Sequence, residues 1–354
     1  MGVGLPSKNK KFVIGKRVVG KDHQPIIVVE LGINHNGSLK NALRLVDAAY
    51  SAGAEIIKHQ THIASDEMTE EAKKIIPSHT KENIFDIIKK CSLSEKDEYK
   101  LMQYVKKKGM TFISTPFSKK AVDRLVKFGV PAFKIGSGEC NNYPLVEYIA
   151  KKRKPIILST GMNTVESIAP AVKIIRKYNI PYALLHCTNI YPTPSNLIRI
   201  DAIKVLKQKF PDAIVGLSDH SKSIYPCFAA IGLGACIIEK HFVDSKKQSG
   251  PDVSASMDKK ELKMLLEGSK EIFKARGNIK KAVGKEIMTK KFAFASLAAV
   301  SQIAKGQKIT KHNCFPKRPG TGDFLAKDFY KILGKKAARK IKNNTLIKKK
   351  DIRQ

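Results

Sequence analysis

Two histidines at the ends of apolar runs are the residues of this sequence best placed to hold a metal ion. His220 follows the run 213–217, and His241 ends the run 235–241. If these runs are adjacent strands, both imidazoles can bind one divalent ion, with water and a substrate oxygen as further ligands. Such an ion polarises a carbonyl group, and Glu30 is a candidate ligand or orienting base beside it. Two histidines alone are a weak metal signal, because a lone histidine is more often structural.

Two lysines, Lys58 and Lys134, lie inside runs that are otherwise apolar. A buried lysine is costly unless it is paired, and a lysine inside a barrel usually forms a Schiff base or binds an anion. Ser159 and Thr160 precede a predicted helix, where backbone N–H groups favour phosphate. These residues predict a substrate with phosphate and carboxylate groups. The alternative, ammonium groups that reach water at the barrel ends, suits one lysine better than both.

Glycine-rich nucleotide-binding motifs are missing from the sequence. The segments 136–138 and 232–234 lack the third glycine of a dinucleotide motif, and no P-loop occurs. Neither NAD nor ATP is indicated.

Eight β-rich runs alternate with helical patterns along most of the chain. The runs are 26–30, 55–60, 111–115, 132–136, 155–159, 182–186, 213–217 and 235–241. Continuous apolar runs of this length are typical of parallel strands that are covered on both faces. They predict an α/β fold, a (β/α)8 TIM barrel, over residues 12–278. The C-terminal ends of all eight runs are polar, which predicts an active site at that rim.

Helical patterns and turn residues define the rest of the organisation. We predict helices over 38–51, 118–128, 164–178, 225–234 and 259–276, and extra helices within 61–110. After the last strand the alternation stops. Residues 279–291 are predicted to be a linker, and residues 292–354 a small β-rich domain with many turns.

The net charge of +35 raises the question of polyanion binding. Only ten of the 66 basic residues are arginine, and the lysines spread along the whole chain. Specific nucleic-acid readers favour arginine and interleaved aromatic residues. A lysine-rich solvated surface is therefore the better interpretation, and no nucleic acid is expected as a partner.

The sequence also predicts where the protein works. Its basic N-terminus lacks the apolar core of a signal peptide, and no apolar run is long enough for a membrane span. The six cysteines are scattered without a C-x-x-C pair, as is usual for reduced structural cysteines. We expect a cytoplasmic protein without a membrane partner.

Seven motifs, in order, resemble those of bacterial N-acetylneuraminate (sialic acid) synthases. They are Glu-Leu-Gly-Ile-Asn-His-Asn-Gly at 30–37, Lys-His-Gln-Thr-His at 58–62, Ile-Gly-Ser-Gly-Glu-Cys-Asn-Asn at 135–142, Leu-Ser-Asp-His at 217–220, Ser-Gly-Pro-Asp at 249–252, Phe-Ala-Phe-Ala-Ser at 292–296 and Lys-Arg-Pro-Gly at 317–320. The resemblance covers about residues 12–352. The part from about residue 290 resembles the family's antifreeze-like (SAF/β-clip) domain.

The resemblance implies a transferase, N-acetylneuraminate synthase. It would condense phosphoenolpyruvate with N-acetylmannosamine and water to give N-acetylneuraminate and phosphate, with C–O cleavage. It implies a divalent metal, foremost Mn²⁺ with Mg²⁺ or Co²⁺ as alternatives, on His220 and His241, which would take part in catalysis. For this chemistry Glu30 is our candidate for the catalytic group that orients the attacking water or stabilises positive charge at C2. The implied phosphoenolpyruvate contacts are Lys58, Thr115, Lys134, Ser137, Ser159 and Asn189, and the implied sugar contacts are Gln60, Glu139, Tyr191 and Asp252.

The resemblance also implies a homodimer. Arg318 matches an arginine that the C-terminal domain inserts into the partner's barrel, so the domains would be swapped. One segment departs from the family pattern, because Ile76-Pro77-Ser78-His79 stands where members often have Ile-Pro-Gly-Asn. The departure concerns the sugar side, so a legionaminate or pseudaminate synthase that uses a modified 2-acetamido sugar remains an alternative. The net charge of +35 leaves a second one, a polyanion-binding protein that is not an enzyme.

Overall fold

The computed structural model describes residues 11–77, 82–277 and 279–353. The chain divides into two compact units, the first ending at Arg276 and the second beginning at Gly277.

The first unit is a closed barrel of eight parallel strands, preceded by an antiparallel hairpin. The hairpin consists of β1 (Lys11–Ile14) and β2 (Arg17–Gly20), and the barrel of β3 (Ile26–Glu30), β4 (Ile56–Thr61), β5 (Thr111–Pro116), β6 (Phe133–Ile135), β7 (Ile156–Ser159), β8 (Tyr182–Cys187), β9 (Ile214–Asp219) and β10 (Ile237–His241). Each barrel strand pairs with the next, and β10 pairs with β3. The predicted TIM barrel is confirmed, and every predicted run overlaps one strand.

Side chains along each strand face the lumen and the surrounding helices in turn. Ile56 packs inside the barrel, whereas Ile57 belongs to the apolar layer between strands and helices. Lys58 is the next lumen-facing position, and the same period of two places Lys134 inside. Both lysines are 2% exposed. The strand period, rather than local sequence, thus directs these charges into the barrel.

The hairpin seals the N-terminal end of the barrel. Phe12, Ile14 and Val19 are buried in one cluster with the first lumen-facing residues of the strands. Gly15 turns the hairpin with φ at 59°. A Cβ there would lie 2.1 Å from Thr111 Oγ1, so only glycine fits. The hairpin was not predicted, because its two short strands lie outside the alternating pattern.

Helices surround the barrel and fill the long excursion after β4. They are α1 (Leu39–Ser51), α2 (Ala64–Glu67), α3 (Ile84–Cys91), α4 (Glu95–Lys107), α5 (Lys119–Phe128), α6 (Tyr143–Ala150), α7 (Val165–Lys177), α8 (Ala202–Lys209), α9 (Tyr225–Gly232) and α10 (Lys259–Ala275). Ser38 caps α1, and Gly129 ends α5 in the left-handed conformation, both as predicted. Within the described part of the chain, no helix is long and apolar enough to cross a membrane.

The second unit has a small core of its own. Its regular elements are α11 (Ile287–Ala293), the antiparallel pair β11 (Ser296–Ala299) and β12 (Cys314–Lys317), and α12 (Phe329–Ile332). Leu297, Ile303, Ile309 and Ile347 are among its fully buried core residues. The segment 279–291, predicted as a linker, contains a 3-10 turn and the first residues of α11.

Candidate active site

A polar cavity of about 130 Å³ opens at the C-terminal end of the barrel strands. It is lined by Lys58, Gln60, Thr115, Phe117, Lys134, Gly136, Ser137, Gly138, Ser159, Cys187, Asn189, Tyr191, Ser218, His220, Glu239 and His241. Ten of the predicted site residues are in this set, although the sequence spreads them over more than 180 positions. The barrel brings these residues together, because the C-terminal ends of all its strands lie at one rim.

Lys58 is held by residues from three neighbouring strands. Its Nζ forms an ion pair with the Glu30 carboxylate, donates to Thr115 Oγ1 at 3.1 Å and lies 3.7 Å from Glu239 Oε1. Burial alone would lower the pKa of Lys58, but the carboxylates of Glu239 and Glu30 raise it above its ordinary value. Lys58 is therefore a fixed positive charge in the lumen.

Lys134, two strands along the barrel from Lys58, shares a carboxylate with it. Its Nζ donates to Ser159 Oγ at 2.7 Å and to the Ile135 carbonyl at 3.1 Å, and lies 3.6 Å from Glu239 Oε1. Burial lowers the pKa of Lys134 more than Glu239 raises it. A bound phosphate or carboxylate would stabilise the protonated, positively charged form of this lysine.

Glu239 is the central residue that sequence reasoning did not select. Burial favours its protonated form, but Lys134 and Lys58 outweigh burial and hold the pKa of Glu239 below its ordinary value. Its Oε2 atom is buried and has no hydrogen-bonding partner in the described residues. A sequence signal for Glu239 is the alternation of side chains along a strand, which puts it on the same face as His241. Glu239 and His241 face the lumen, whereas Lys240 faces outward and donates to Asp219 at 2.6 Å.

The two predicted metal ligands lie side by side, with ring centroids 5.4 Å apart. His220 Nδ1 is 3.0 Å from the Thr188 carbonyl, which only accepts, so Nδ1 carries a proton. In the neutral ring, Nε2 then presents a lone pair near the Tyr191 hydroxyl. Burial and nearby positive charge hold the pKa of His241 well below its ordinary value, so this ring is neutral. Burial lowers the pKa of His220 as well, but Cys187 and the Thr188 carbonyl outweigh burial and raise it above its ordinary value. Because metal binds the neutral form of an imidazole, His241 is ready to bind, whereas a metal would compete with a proton on His220.

The donor set tests whether an ion fits here. His241 Nδ1 is buried without a hydrogen bond in the described residues, although Asp252 Oδ2 lies 3.3 Å away. No group of three or more His, Cys, Asp or Glu side chains that could enclose an ion exists in residues 11–77, 82–277 and 279–353. The residues fit a two-imidazole site that water or substrate must complete, not a closed structural site.

Ser137 and Asn189 belong to a tightly packed corner of the cavity. The Gly161 N–H donates to Ser137 Oγ at 3.0 Å. A Cβ on Gly161 would lie 1.9 Å from Asn189 Oδ1, so a side chain at this position would displace both polar groups. The Cys187 thiol donates to Asn189 Oδ1 at 3.2 Å. These contacts hold Ser137, after β6, and Asn189, after β8, at the cavity wall.

The residues predicted to contact a sugar are less closely grouped. Gln60 and Tyr191 line the cavity, and Tyr191 stacks on His220 with centroids 4.1 Å apart. Glu139 is half-buried after β6, and burial raises the pKa of its carboxyl group. Asp252 contacts His241 rather than the cavity wall.

Two features predicted for the sugar side are not among the residues that line this cavity. Arg318 belongs to the second unit, where it follows β12. In the departing segment 76–79, Ile76 is exposed, but Ser78 and His79 lie outside the described residues.

A TIM barrel with paired lysines, a bridging carboxylate and two adjacent imidazoles at its C-terminal rim is typical of an enzyme site for an anionic substrate. The chain belongs to the NeuB family, whose model matches residues 45–281, and it carries a SAF domain at residues 294–353. The resemblance to sialic acid synthases with a C-terminal SAF domain is thereby confirmed.

Named relatives are similar over nearly their whole length. An N,N'-diacetyllegionaminic acid synthase from Campylobacter jejuni is 38% identical, over 91% of this chain and 98% of the relative. One from Legionella pneumophila is 34% identical, over 89% and 90%. The crystal structure of an N-acetylneuraminic acid (sialic acid) synthetase from Leptospira borgpetersenii, in complex with citrate, matches with a TM-score of 0.73 at 30% identity, over 79% of this chain and 95% of that chain.

Proposed function

We propose that this protein is a phosphoenolpyruvate-dependent nonulosonate synthase. It joins C3 of phosphoenolpyruvate to the aldehyde carbon of an open-chain 2-acetamido sugar; water adds at C2, and phosphate leaves with C–O cleavage. The observation that carries the proposal is the pair of buried lysines, Lys58 and Lys134, which face one lumen and share Glu239. Two such cations in a closed barrel match a small substrate that bears both phosphate and carboxylate.

Phosphoenolpyruvate is proposed to lie between the two lysines. Lys58 and Lys134 neutralise its charge, and Thr115 and Ser159 already hold their ammonium groups in place. Ser137 and Asn189 supply further polar contacts in the adjacent corner. Because these groups are oriented before substrate enters, little reorganisation is needed when negative charge moves to the leaving phosphate.

Glu30 is the proposed group that acts on the attacking water. Burial raises the pKa of Glu30, although Lys58 opposes this, and its Oε1 accepts the Gly32 N–H at 2.5 Å. A carboxylate held in this way can orient a water molecule and stabilise positive charge that develops at C2 of phosphoenolpyruvate.

A divalent ion, foremost Mn²⁺ with Mg²⁺ or Co²⁺ as alternatives, is proposed to bind His220 and His241. It would polarise the aldehyde carbonyl and so make it a better electrophile. The chain's own contribution is to hold His220 in one tautomer through Thr188 and to keep His241 neutral.

N-acetylmannosamine is the acceptor predicted from the sequence, with N-acetylneuraminate as product. The names of the two relatives at 38% and 34% identity favour a second candidate, an acceptor with two acetamido groups. Gln60, Glu139, Tyr191 and Asp252 are the proposed sugar contacts. Arg318 is proposed to reach the acceptor from the partner in a domain-swapped homodimer.

Phosphate release tests the proposal. Enzyme that has been stripped of metal and then supplied with Mn²⁺ and phosphoenolpyruvate should release phosphate only when a 2-acetamido sugar is added. The sugars to be compared are N-acetylmannosamine, N-acetylglucosamine and the 2,4-diacetamido precursors of legionaminate and pseudaminate. Lys134→Met, which keeps the length of the side chain but removes its charge, should abolish release. Absence of release with every sugar would overturn the proposed function.

The metal site has a test that needs no turnover. Binding of Mn²⁺ to the metal-free protein can be followed by electron paramagnetic resonance, and His220→Ala or His241→Ala should weaken it by at least about 10-fold, because each removes a ligand. His312→Ala, at an exposed position in the second unit, is the matched control. Unchanged Mn²⁺ binding in the double variant would contradict the site.

A further inference from the structure

His62, just beyond the end of β4, makes hydrogen-bonding contacts through both of its ring nitrogens. His62 Nε2 lies 3.0 Å from Gln60 Oε1, and Nδ1 lies 3.0 and 3.1 Å from the two oxygens of Glu67 in α2. Its side chain is 5% exposed and that of Glu67 is 7% exposed. Neither residue lines the cavity, whereas Gln60 does.

The ring of His62 is also fixed in orientation. It stacks on Phe117 with centroids 4.2 Å apart and an interplanar angle of 11°. The backbone N–H of Ile63 donates to Glu67 at 3.4 Å, which ties the carboxylate to the same loop. Rotation of the imidazole would therefore break a stacking contact and contacts at both nitrogens.

These contacts determine where the proton of His62 must be. A carboxylate only accepts, so Nδ1 carries a proton toward Glu67 in every charge state of the ring. A neutral His62 then accepts at Nε2, and Gln60 must turn its NH₂ group toward it. A His62 that donates at Nε2 instead requires Gln60 to turn its carbonyl oxygen toward it.

We propose that Glu67 and His62 form a positioning pair that fixes the amide of Gln60 and sets whether the acceptor sugar meets an N–H donor or a carbonyl acceptor. The inference rests on the proposed function, in which Gln60 contacts the sugar. His35, from the loop after β3, and Glu139, from the loop after β6, are titratable groups that interact electrostatically with this pair. The pair would give one side of the cavity a defined hydrogen-bonding polarity and thus selectivity among amino sugars.

Steady-state kinetics with both substrates separate positioning from structural support. Glu67→Gln should raise KM for the amino sugar by about 10-fold, the effect of one lost charge-assisted hydrogen bond, with KM for phosphoenolpyruvate unchanged. His62→Ala should have the same effect, and the double variant should add nothing further, because either change breaks the same chain of contacts. Glu70→Gln, at an exposed residue that pairs with Lys73, is the matched control.

Equal rises in KM for both substrates, or additive effects in the double variant, would overturn the positioning role. A second measurement does not depend on turnover: nitrogen-15 NMR of histidine-labelled protein, with His62 assigned by its loss in His62→Ala. Nδ1 of His62 should be protonated in the wild type throughout the pH range of the folded protein, and a His62 with bare Nδ1 would overturn the pair. If no sugar supports phosphate release, the proposed function fails while this resonance still decides the inference.

Discussion

At the scale of single residues, the lumen contains an ion cluster in which Glu239 holds two lysines at 3.6 and 3.7 Å. Neither lysine would be stable in this position alone, since an unpaired buried charge costs several kcal/mol. Glu239 therefore compensates the charges of both lysines in the folded protein, and an anionic substrate can take over part of this compensation when it binds. We infer that folding stability and substrate affinity are coupled through this carboxylate.

Glu239→Gln tests that coupling. The change keeps the shape of the side chain but leaves Lys58 and Lys134 with less compensation, so the free energy of unfolding should fall by about 3 kcal/mol. Added phosphoenolpyruvate should raise the melting temperature more in this variant than in the wild type, since it restores the missing negative charge. Denaturant unfolding with and without ligand measures both effects.

The control is Glu271→Gln, which removes an exposed carboxylate paired with Lys274 and should leave unfolding unchanged. An unfolding free energy of Glu239→Gln equal to that of the wild type would contradict the account of the cluster.

Sequence reasoning located most of this site but not its centre. The polar strand ends and the two lysines were visible as exceptions within apolar runs, and the barrel brings them to one cavity. Glu239 belongs to one of these polar strand ends, but another charged residue, Lys240, follows it, and the sequence alone does not say which of the two faces the lumen. Only the register of β10 shows that the two side chains face opposite sides of the strand.

At the scale of elements, a second buried polar chain connects the loop after β3 to the helices behind β4. The Gly37 N–H donates to His35 Nδ1, so His35 donates from Nε2 to His59 Nε2 at 3.2 Å. His59 Nδ1 then donates to Glu98 at 3.2 Å, and Arg124 holds the other oxygen of Glu98. This order of donors requires both rings to be neutral.

The chain of contacts predicts a pH dependence of stability. Burial, and then His59 and His62, lower the pKa of His35 to about 3, from an ordinary value of 6.5. The pKa of His35 is lower in the folded than in the unfolded protein. Its contribution to the free energy of unfolding is therefore complete above pH 6.5 and is lost as the pH falls from there toward 3. In His35→Gln, the fall in unfolding free energy between pH 6.5 and 4.5 should be shallower than in the wild type.

Urea unfolding at several pH values measures this slope, and His312→Gln, at an exposed histidine, should keep the slope of the wild type. Equal slopes in His35→Gln and the wild type would rule out this role for His35.

The hairpin β1–β2 is the other element that supports the barrel, at the end away from the cavity. Phe12→Ala should lower the unfolding free energy by about 3 kcal/mol, because it leaves a cavity in the seal of the lumen. Val13→Ala, at the adjacent and 52% exposed position, should have little effect. Denaturant unfolding compares the two.

Below its unfolding transition, Phe12→Ala should keep the phosphate release of the wild type, because the seal and the active site lie at opposite strand ends. Lost activity in a folded Phe12→Ala protein would show that the two ends are coupled. Sequence reasoning missed this element, because Phe12, Ile14 and Val19 become core residues only through contacts with strands that follow much later in the chain.

At the scale of the whole molecule, the chain combines a barrel of the NeuB family with a SAF domain. The order of the elements in the barrel could be read from the sequence because strand and helix periods differ. The second unit was harder to divide into strands, since its regular strands are short and much of its pairing consists of isolated bridges. The predicted role of Arg318 depends on a partner chain, which one sequence does not define.

The fate of the bridging oxygen of phosphoenolpyruvate, the atom between C2 and phosphorus, tests the central claim most directly. The enzyme would be given Mn²⁺, an accepted amino sugar and phosphoenolpyruvate labelled with ¹⁸O at that atom, and the phosphate would be analysed by mass spectrometry. The account predicts that the label leaves with phosphate, because the C–O bond breaks. Unlabelled phosphate, with ¹⁸O retained in the carbon product, would show P–O cleavage and contradict the proposed condensation.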